Sequence, residues 1–372
     1  INDDYGFKDL TLNKRIYGLD RDTLIHKKID ISLSSRSQIL LSNILINEVG
    51  LIPGESVDMF FVVRDNDKIN NYKSSNSKTI SYNSKSRAQY EEEYDQINEE
   101  IKSTLKDEMA SIKELQKELQ EFEKQLIEKD SLDWRDKKTL TDILQKQQNL
   151  DQKIEELSKL AKENFEKINS LTTPNENIIE KQLELQKLFE DILPDELRAL
   201  YEELNKLKEE LNKDDLQKKI QELQLSNEDI EKELDRNLEM LRRFEFDEKL
   251  DKLIEDLNKL SNDQLKLSEN KTDKNPKSLH KKNIEKFKKI KEDISELKEL
   301  NNSLENKQQI VDTKQDESKI DDMMKDAENK LDRGNKKSAK KSQKKTSELL
   351  NSLEQKFLTM KQENKEAQQE ED

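Results

Sequence analysis

The chain has 372 residues, of which 68 are Lys or Arg, 83 are Asp or Glu and none is Cys, so its formal net charge at pH 7 is −15. Charged residues make up 41% and hydrophobic residues 31% of the chain, whereas average soluble domains hold roughly 25% charged and 45–50% apolar residues. With five Gly and four Pro, this composition excludes an ordinary single-core enzyme, a collagen and a disulfide-stapled module, and no run approaches the ~18 apolar residues of a membrane-spanning helix. We therefore expect a mainly α protein of long helices with a small, different domain in front.

Residues 1–83 differ from the rest of the chain because apolar and polar side chains alternate with a period of two. The segment Val57–Val63 is the most strand-like, and Pro53-Gly54 before it is typical of a turn. Asp65-Asn66-Asp67 after it predicts another turn, and a calcium site is the less favoured interpretation because the spacing fits no EF-hand loop. These short strands predict a small antiparallel β-sandwich of immunoglobulin type, either complete or lacking strands at its start.

The period changes near Arg87, and from Tyr90 to Leu126 apolar residues recur at steps of three and four, the a/d spacing of a coiled coil. A helix of about 40 residues is about 60 Å long and must pair with other helices. Capping residues in the stretch 130–134 end this helix and start a second one, which stops before Thr172-Thr173-Pro174. Residues 84–172 are therefore predicted to form a long antiparallel helical hairpin.

The remaining chain repeats this narrow apolar seam in helices separated by stop signals. Pro194 and the sequence Ser226–Asp229, which resembles a capping box, predict helix starts, and Gly334-Asn335 predicts a helix end. No fixed repeat is present, so we expect a coiled coil or extended bundle and not a solenoid. Three segments follow the hairpin: a helical bundle or coiled coil over 173–267, a linker over 268–277, and a C-terminal helical segment over 278–372.

A search for chemistry gives no catalytic, cofactor-binding or metal-ligating residues. The chain has no phosphate-binding Gly-x-x-x-x-Gly-Lys-Ser/Thr loop, and its abundant carboxylates lack the apolar surroundings that would make an acid–base pair. His26 and His280 are the only histidines, and both are predicted to be solvated surface residues. We therefore expect a protein that is not an enzyme and needs no cofactor.

Two features are candidate binding sites. Trp134, the single tryptophan, stands at a predicted helix start, where it closes the hairpin tip or, less favoured, anchors a protein partner. Six lysines lie along one face of a predicted helix and would bind anionic lipid headgroups or an acidic partner. We favour instead a solvated face that complements acidic neighbours in the bundle. The six are Lys336, Lys337, Lys340, Lys341, Lys344 and Lys345.

The charge distribution bears on partners. The first 82 residues contain 11 basic and 11 acidic side chains, so the net negative charge belongs to the helical part. An acidic body disfavours nucleic acid, because such binding depends on cations that replace counterions on phosphates. We expect protein partners of unknown identity, membrane-surface contact as an alternative, and a second copy of the chain as an open option, since a narrow seam can be filled within or between chains.

Several short motifs carry a resemblance: Asp3-Asp4-Tyr5-Gly6, the ranges 53–57, 63–67, 73–75, 132–138 and 225–236, and Gly334-Asn335. Together they resemble an uncharacterised family of large Bacteroidota envelope proteins with N-terminal transmembrane helices, immunoglobulin-like domains and a long Gln/Glu-rich helical region. The resemblance implies a periplasmic body that is anchored in the inner membrane upstream of Ile1, and the start at Ile1 instead of Met is interpreted as an excerpt of a longer protein. Members are sometimes labelled ATPases, which this sequence does not support, and the family offers no catalytic residues to carry over.

The sequence therefore predicts a non-enzymatic structural or interaction protein, a coiled-coil spacer or scaffold of the bacterial cell envelope. Two alternatives stay open: a regulatory arm of an enzyme or transport complex, and a helical module that binds anionic lipid or peptide through the lysine face.

Overall fold

The fold is taken from a computed structural model, which describes residues 1–18, 20–33, 35–41, 43–129, 131, 133–171, 176–193, 196–210, 213–269 and 276–371. Five strands precede eight α-helices in this part of the chain, so the predicted class, mainly helical behind a small antiparallel β domain, is confirmed. The predicted stop at Thr172-Thr173-Pro174, the predicted start at Pro194 and most of the predicted linker lie outside the described residues.

The N-terminal strands form one antiparallel sheet in the described residues. Its order is β2-β1-β3-β4, and the fifth strand pairs with β3 on the same side as β4. β1 is the central long strand because it pairs along nearly its whole length with both β2 and β3. The strands are β1 (Phe7–Gly18), β2 (Arg21–Ile29), β3 (Ser56–Asp65), β4 (Ser74–Asn76) and β5 (Ile80–Asn83).

One face of this sheet has an apolar core of Leu12, Ile16, Val57 and Met59. The residues that cover it come from an irregular segment around a 3₁₀ turn, Ile46–Val49, in which Val49 is 7% exposed. β4 and β5, of three and four residues, both pair with β3 and are too short to begin another layer. The second layer that a sandwich would need is thus supplied, in the described part, by this segment and not by facing strands.

The chain divides into two compact units, Ile1–Ile101 with Lys159–Pro174, and Lys102–Ser158 with Asn175–Asp372. α1 (Arg87–Glu128) and α2 (Trp134–Leu171) contribute to both units. In the first unit, Asn164 Nδ2 donates to Asn98 Oδ1 at 2.9 Å, and in the second, Lys153 Nζ donates to Glu108 at 2.7 Å. Both pairs join residues in antiparallel order, as the predicted hairpin requires.

In the second unit, the longest helix, α5 (Lys213–Ser268), packs beside α1 and two short helices, α3 (Glu176–Glu190) and α4 (Leu197–Glu210). α5 has 56 residues, which corresponds to a length of about 84 Å. The predicted helix start at Ser226 is wrong, because α5 continues through it. The reason is tertiary: Asn227 is fully buried and its Nδ2 donates to Gln147 Oε1 of α2 at 2.8 Å.

The C-terminal half of α5 belongs to an antiparallel bundle with α6 (Pro276–Ser303), α7 (Lys314–Asp332) and α8 (Lys336–Glu371). Its core is built by apolar residues of all four helices, such as Leu257, Phe287, Ile320 and Phe357, each at most 1% exposed. The turn before α8 is the predicted one: Gly334 has φ +73° and Asn335 N–H donates to Lys330 O at 2.8 Å.

Candidate functional site

The tip of the α1–α2 hairpin is closed by capping side chains. Asp133 Oδ1 accepts the backbone N–H groups of Arg135 and Asp136 at 2.7 and 3.1 Å, and Asp136 Oδ2 accepts the Asp133 N–H at 2.8 Å. These backbone hydrogen bonds, chiefly that of Asp136, lower the pKa of Asp133. Trp134 is 73% exposed and lies beside Lys138 Nζ, 5.9 Å from its ring centroid. The favoured prediction that Trp134 closes the tip is therefore wrong, and it stays a candidate partner anchor.

The six candidate lysines occupy the first turns of α8, and we call them the lysine face. All are exposed except Lys340, which is half-buried. Ala339, Gln343 and Thr346 point into the bundle between them and are at most 1% exposed. The predicted arrangement along one side of a helix thus agrees with the burial pattern of α8.

The lysine face forms no ion pair with an acidic neighbour in the described part of the chain. None of the six lysines lies within 4 Å of a described carboxylate, although lysines elsewhere do, such as Lys102 with Glu245 at 2.7 Å and Lys249 with Asp293 at 2.7 Å. Two carboxylates of α7 contact other residues of α8: Asp326 accepts from Ser342, as well as from Lys330 of its own helix, and Asp316 pairs with Lys356. The solvated part of the favoured interpretation agrees with the structure, whereas the acidic neighbours that it expects form no ion pair with the six lysines in the described residues.

The position of the lysine face makes this unmatched charge costly. Lysines four residues apart on a helix repel one another, and the N-terminus of a helix already has a partial positive charge of about half a unit. The first twelve residues of α8, 336–347, contain six Lys and no Asp or Glu. A negatively charged partner would lower the free energy of this segment.

Buried polar side chains lie among the apolar residues of the C-terminal bundle, and five of them are here called the polar layer: Ser261, Gln264, His280, Gln343 and Ser347. Ser261 and Ser347 bond through their hydroxyls at 2.9 Å, and His280 Nε2 donates to Met324 O at 2.9 Å. In the described part of the chain, both amide atoms of Gln264, Nε2 of Gln343 and Nδ1 of His280 have no partner. The layer is thus only partly satisfied.

His280 is the main failure of the sequence-based prediction in this layer, because it is fully buried whereas His26 is exposed as predicted. Burial lowers the pKa of His280, although the hydrogen bond to Met324 and the charge of Glu328 act in the opposite direction. The signal was present in the spacing: His280, Phe287 and Ile294 are seven residues apart and share one seam position.

A second buried network joins three helices of the second unit. Tyr201 Oη donates to Asp151 at 2.6 Å, Gln147 Nε2 donates to the same carboxylate at 3.4 Å, and Asn227 Nδ2 donates to Gln147. Burial raises the pKa of both Asp151 and Tyr201. Each of these hydrogen bonds joins two helices or two successive turns of α2. The network therefore fixes the register of the helices and does not line a binding site.

Other features give no reaction centre. Asp67 Oδ1 accepts the backbone N–H groups of Ile69 and Asn70, and the side-chain bond from Asn70 lowers the pKa of Asp67, so the predicted turn is confirmed.

An open groove of about 510 Å³ lies between residues 309–311 and α8. Its lining includes Lys356, which is paired with Asp316, and Glu363.

Within the described residues, no cluster of three His, Asp or Glu side chains could hold a metal ion. No helix described by the structure has a stretch apolar and long enough to cross a bilayer.

No protein-family model matches the chain, and neither a curated protein nor a solved structure shows significant similarity to it.

Proposed function

We propose that this chain is a non-enzymatic structural or interaction protein that acts as a spacer or scaffold. The observation that supports this most is α5, a 56-residue helix that is packed along its length against other helices of the same unit. Most of its apolar residues between Leu216 and Leu267 are buried, and the buried polar residues Asn227 and Ser261 bond to neighbouring helices. Such a body holds surfaces at fixed separations.

A location in the cell envelope, with a periplasmic body and an upstream membrane anchor, is proposed on the sequence resemblance alone. Trp134 is the proposed anchor for a protein partner, because an exposed tryptophan on a capped hairpin tip can bury a large area on binding. We also propose that the chain is a monomer, since its seams are filled within one copy in the described residues.

Light-scattering mass and nucleotide titration of the full chain test this proposal. A monomeric mass and no saturable binding of Mg-ATP are the expected results. A stable dimer would contradict filling of the seams within one chain, and saturable nucleotide binding with measurable hydrolysis would overturn the non-enzymatic proposal.

A further inference from the structure

We infer that the lysine face binds the surface of an anionic lipid bilayer. The face presents six lysines within ten residues, five of them exposed, and none is paired with a described carboxylate. Clusters of four to eight basic residues on one helix are attracted to anionic headgroups by roughly 1 kcal/mol per residue, which is about five-fold in binding constant for each lysine. This inference does not depend on the proposed scaffold role.

The chemistry of the face favours a membrane over a protein partner. Protein interfaces depend on buried aromatic or apolar anchors and are depleted in lysine at their centres. Between Lys336 and Lys345 the only apolar side chain is Ala339, which is buried in the bundle. The face is also the convex side of a helix, which suits a broad surface better than it suits a bound peptide.

Nucleic acid is a poorer match than lipid. The face contains no arginine for bidentate phosphate contacts and no aromatic residue on which bases could stack. Lysine, by contrast, is a hydrated point charge on a flexible stem, which adapts to headgroups that have no fixed arrangement. The net charge of −15 does not prevent local attraction, because salt screens charges over about 8–10 Å at physiological ionic strength.

The bilayer contact must be electrostatic and shallow. The apolar side of α8, including Leu350 and Leu353, is fully buried in the bundle core, so the helix has no free apolar face to insert. Binding is therefore expected to weaken steeply with salt.

The test is co-sedimentation of the full chain with vesicles of phosphatidylcholine containing increasing fractions of phosphatidylserine, at 50 and 500 mM salt. Lys337, Lys341 and Lys344 lie at the centre of the face and are changed to Gln together. The matched control changes three exposed lysines of α1, Lys106, Lys117 and Lys124, to Gln. Circular dichroism verifies that both variants keep their helical content.

We expect binding that requires phosphatidylserine, falls to background at 500 mM salt, and drops roughly 100-fold in the lysine-face triple variant while the control keeps its affinity. No pelleting at 50 mM salt would overturn the inference. Equal loss in both triple variants, or binding to poly-glutamate or duplex DNA as strong as to the vesicles, would overturn it as well.

Discussion

Replacing Gln264 by methionine should stabilise the protein. Gln264 is fully buried in α5, and neither its Nε2 nor its Oε1 has a hydrogen-bond partner among the described residues. A buried polar group left without a partner costs about 1–3 kcal/mol relative to water. Methionine has a similar volume and shape, so it removes this cost without leaving a cavity or forcing the core apart. We therefore expect a gain of about 1–3 kcal/mol in the free energy of unfolding.

Gln147→Met is the matched control, because Gln147 is also a fully buried helical glutamine but has partners. Its Oε1 accepts from Asn227 Nδ2 at 2.8 Å and its Nε2 donates to Asp151. Removing it leaves the Asn227 amide unpaired, since Asn227 Oδ1 already has no partner. The same substitution should therefore destabilise the protein by about 1–3 kcal/mol.

Urea unfolding followed by circular dichroism measures both changes, and amide hydrogen exchange assigns the Gln264 effect to α5–α8. The informative result is the opposite sign of the two substitutions. If Gln264→Met destabilises the protein as much as Gln147→Met does, the Gln264 amide has a hydrogen-bond partner. That result would refute the statement that the polar layer is only partly satisfied.

Three further predictions concern a buried histidine and two helix ends. Burial lowers the pKa of His280, so the folded protein binds this proton less readily than the unfolded chain, and stability is lost as pH falls below the ordinary value of about 6.5. The urea midpoint of the native protein should therefore fall more between pH 7.5 and 5 than that of His280→Gln, and parallel pH profiles would contradict the assignment. Gly334→Ala should cost about 1–2 kcal/mol because φ at this position is +73°, and a thermal melt that matches the native one would refute this. Asp133→Ala should cost about 1 kcal/mol and speed amide exchange at residues 134–137, whereas Asp133→Asn should keep most of the cap.

The helices could be predicted because their signals are local. The seam of apolar residues, the capping residues around Asp133 and the Gly334-Asn335 turn each depend on neighbours a few positions away in the chain, and the structure has all three. The predicted helix start at Ser226 fails because it also depends on local signals alone. The neighbouring residues resemble a helix start, but the hydrogen-bond partner of Asn227 lies on α2, 80 residues earlier.

The candidate sites could be located but not interpreted from the sequence. Spacing alone placed the lysine face on one side of a helix, whereas the absence of described acidic partners depends on how α7 and α8 pack. The lysines that flank His280 predict a surface position, whereas its seven-residue spacing to Phe287 indicates the core, and His280 is buried. The second layer of the β domain comes from an irregular segment, and period-two alternation contains no information about such segments.

Because α5 runs without interruption from Lys213 to Ser268, the second unit has no hinge at its middle. Near residue 245, Glu245 is paired with Lys102 of α1 and Asp247 with Lys181 of α3, and the side chains of Phe244 and Phe246 are buried. A protease cut there would leave the core of the C-terminal bundle, whose residues run from Phe246 to Met360, in one fragment. It would separate this bundle from the helices that pack beside the N-terminal half of α5. Tension applied at one end of α5 would be transmitted to the other end through its continuous backbone hydrogen bonds. The helix would therefore respond as one rigid element and not as two segments joined by a hinge.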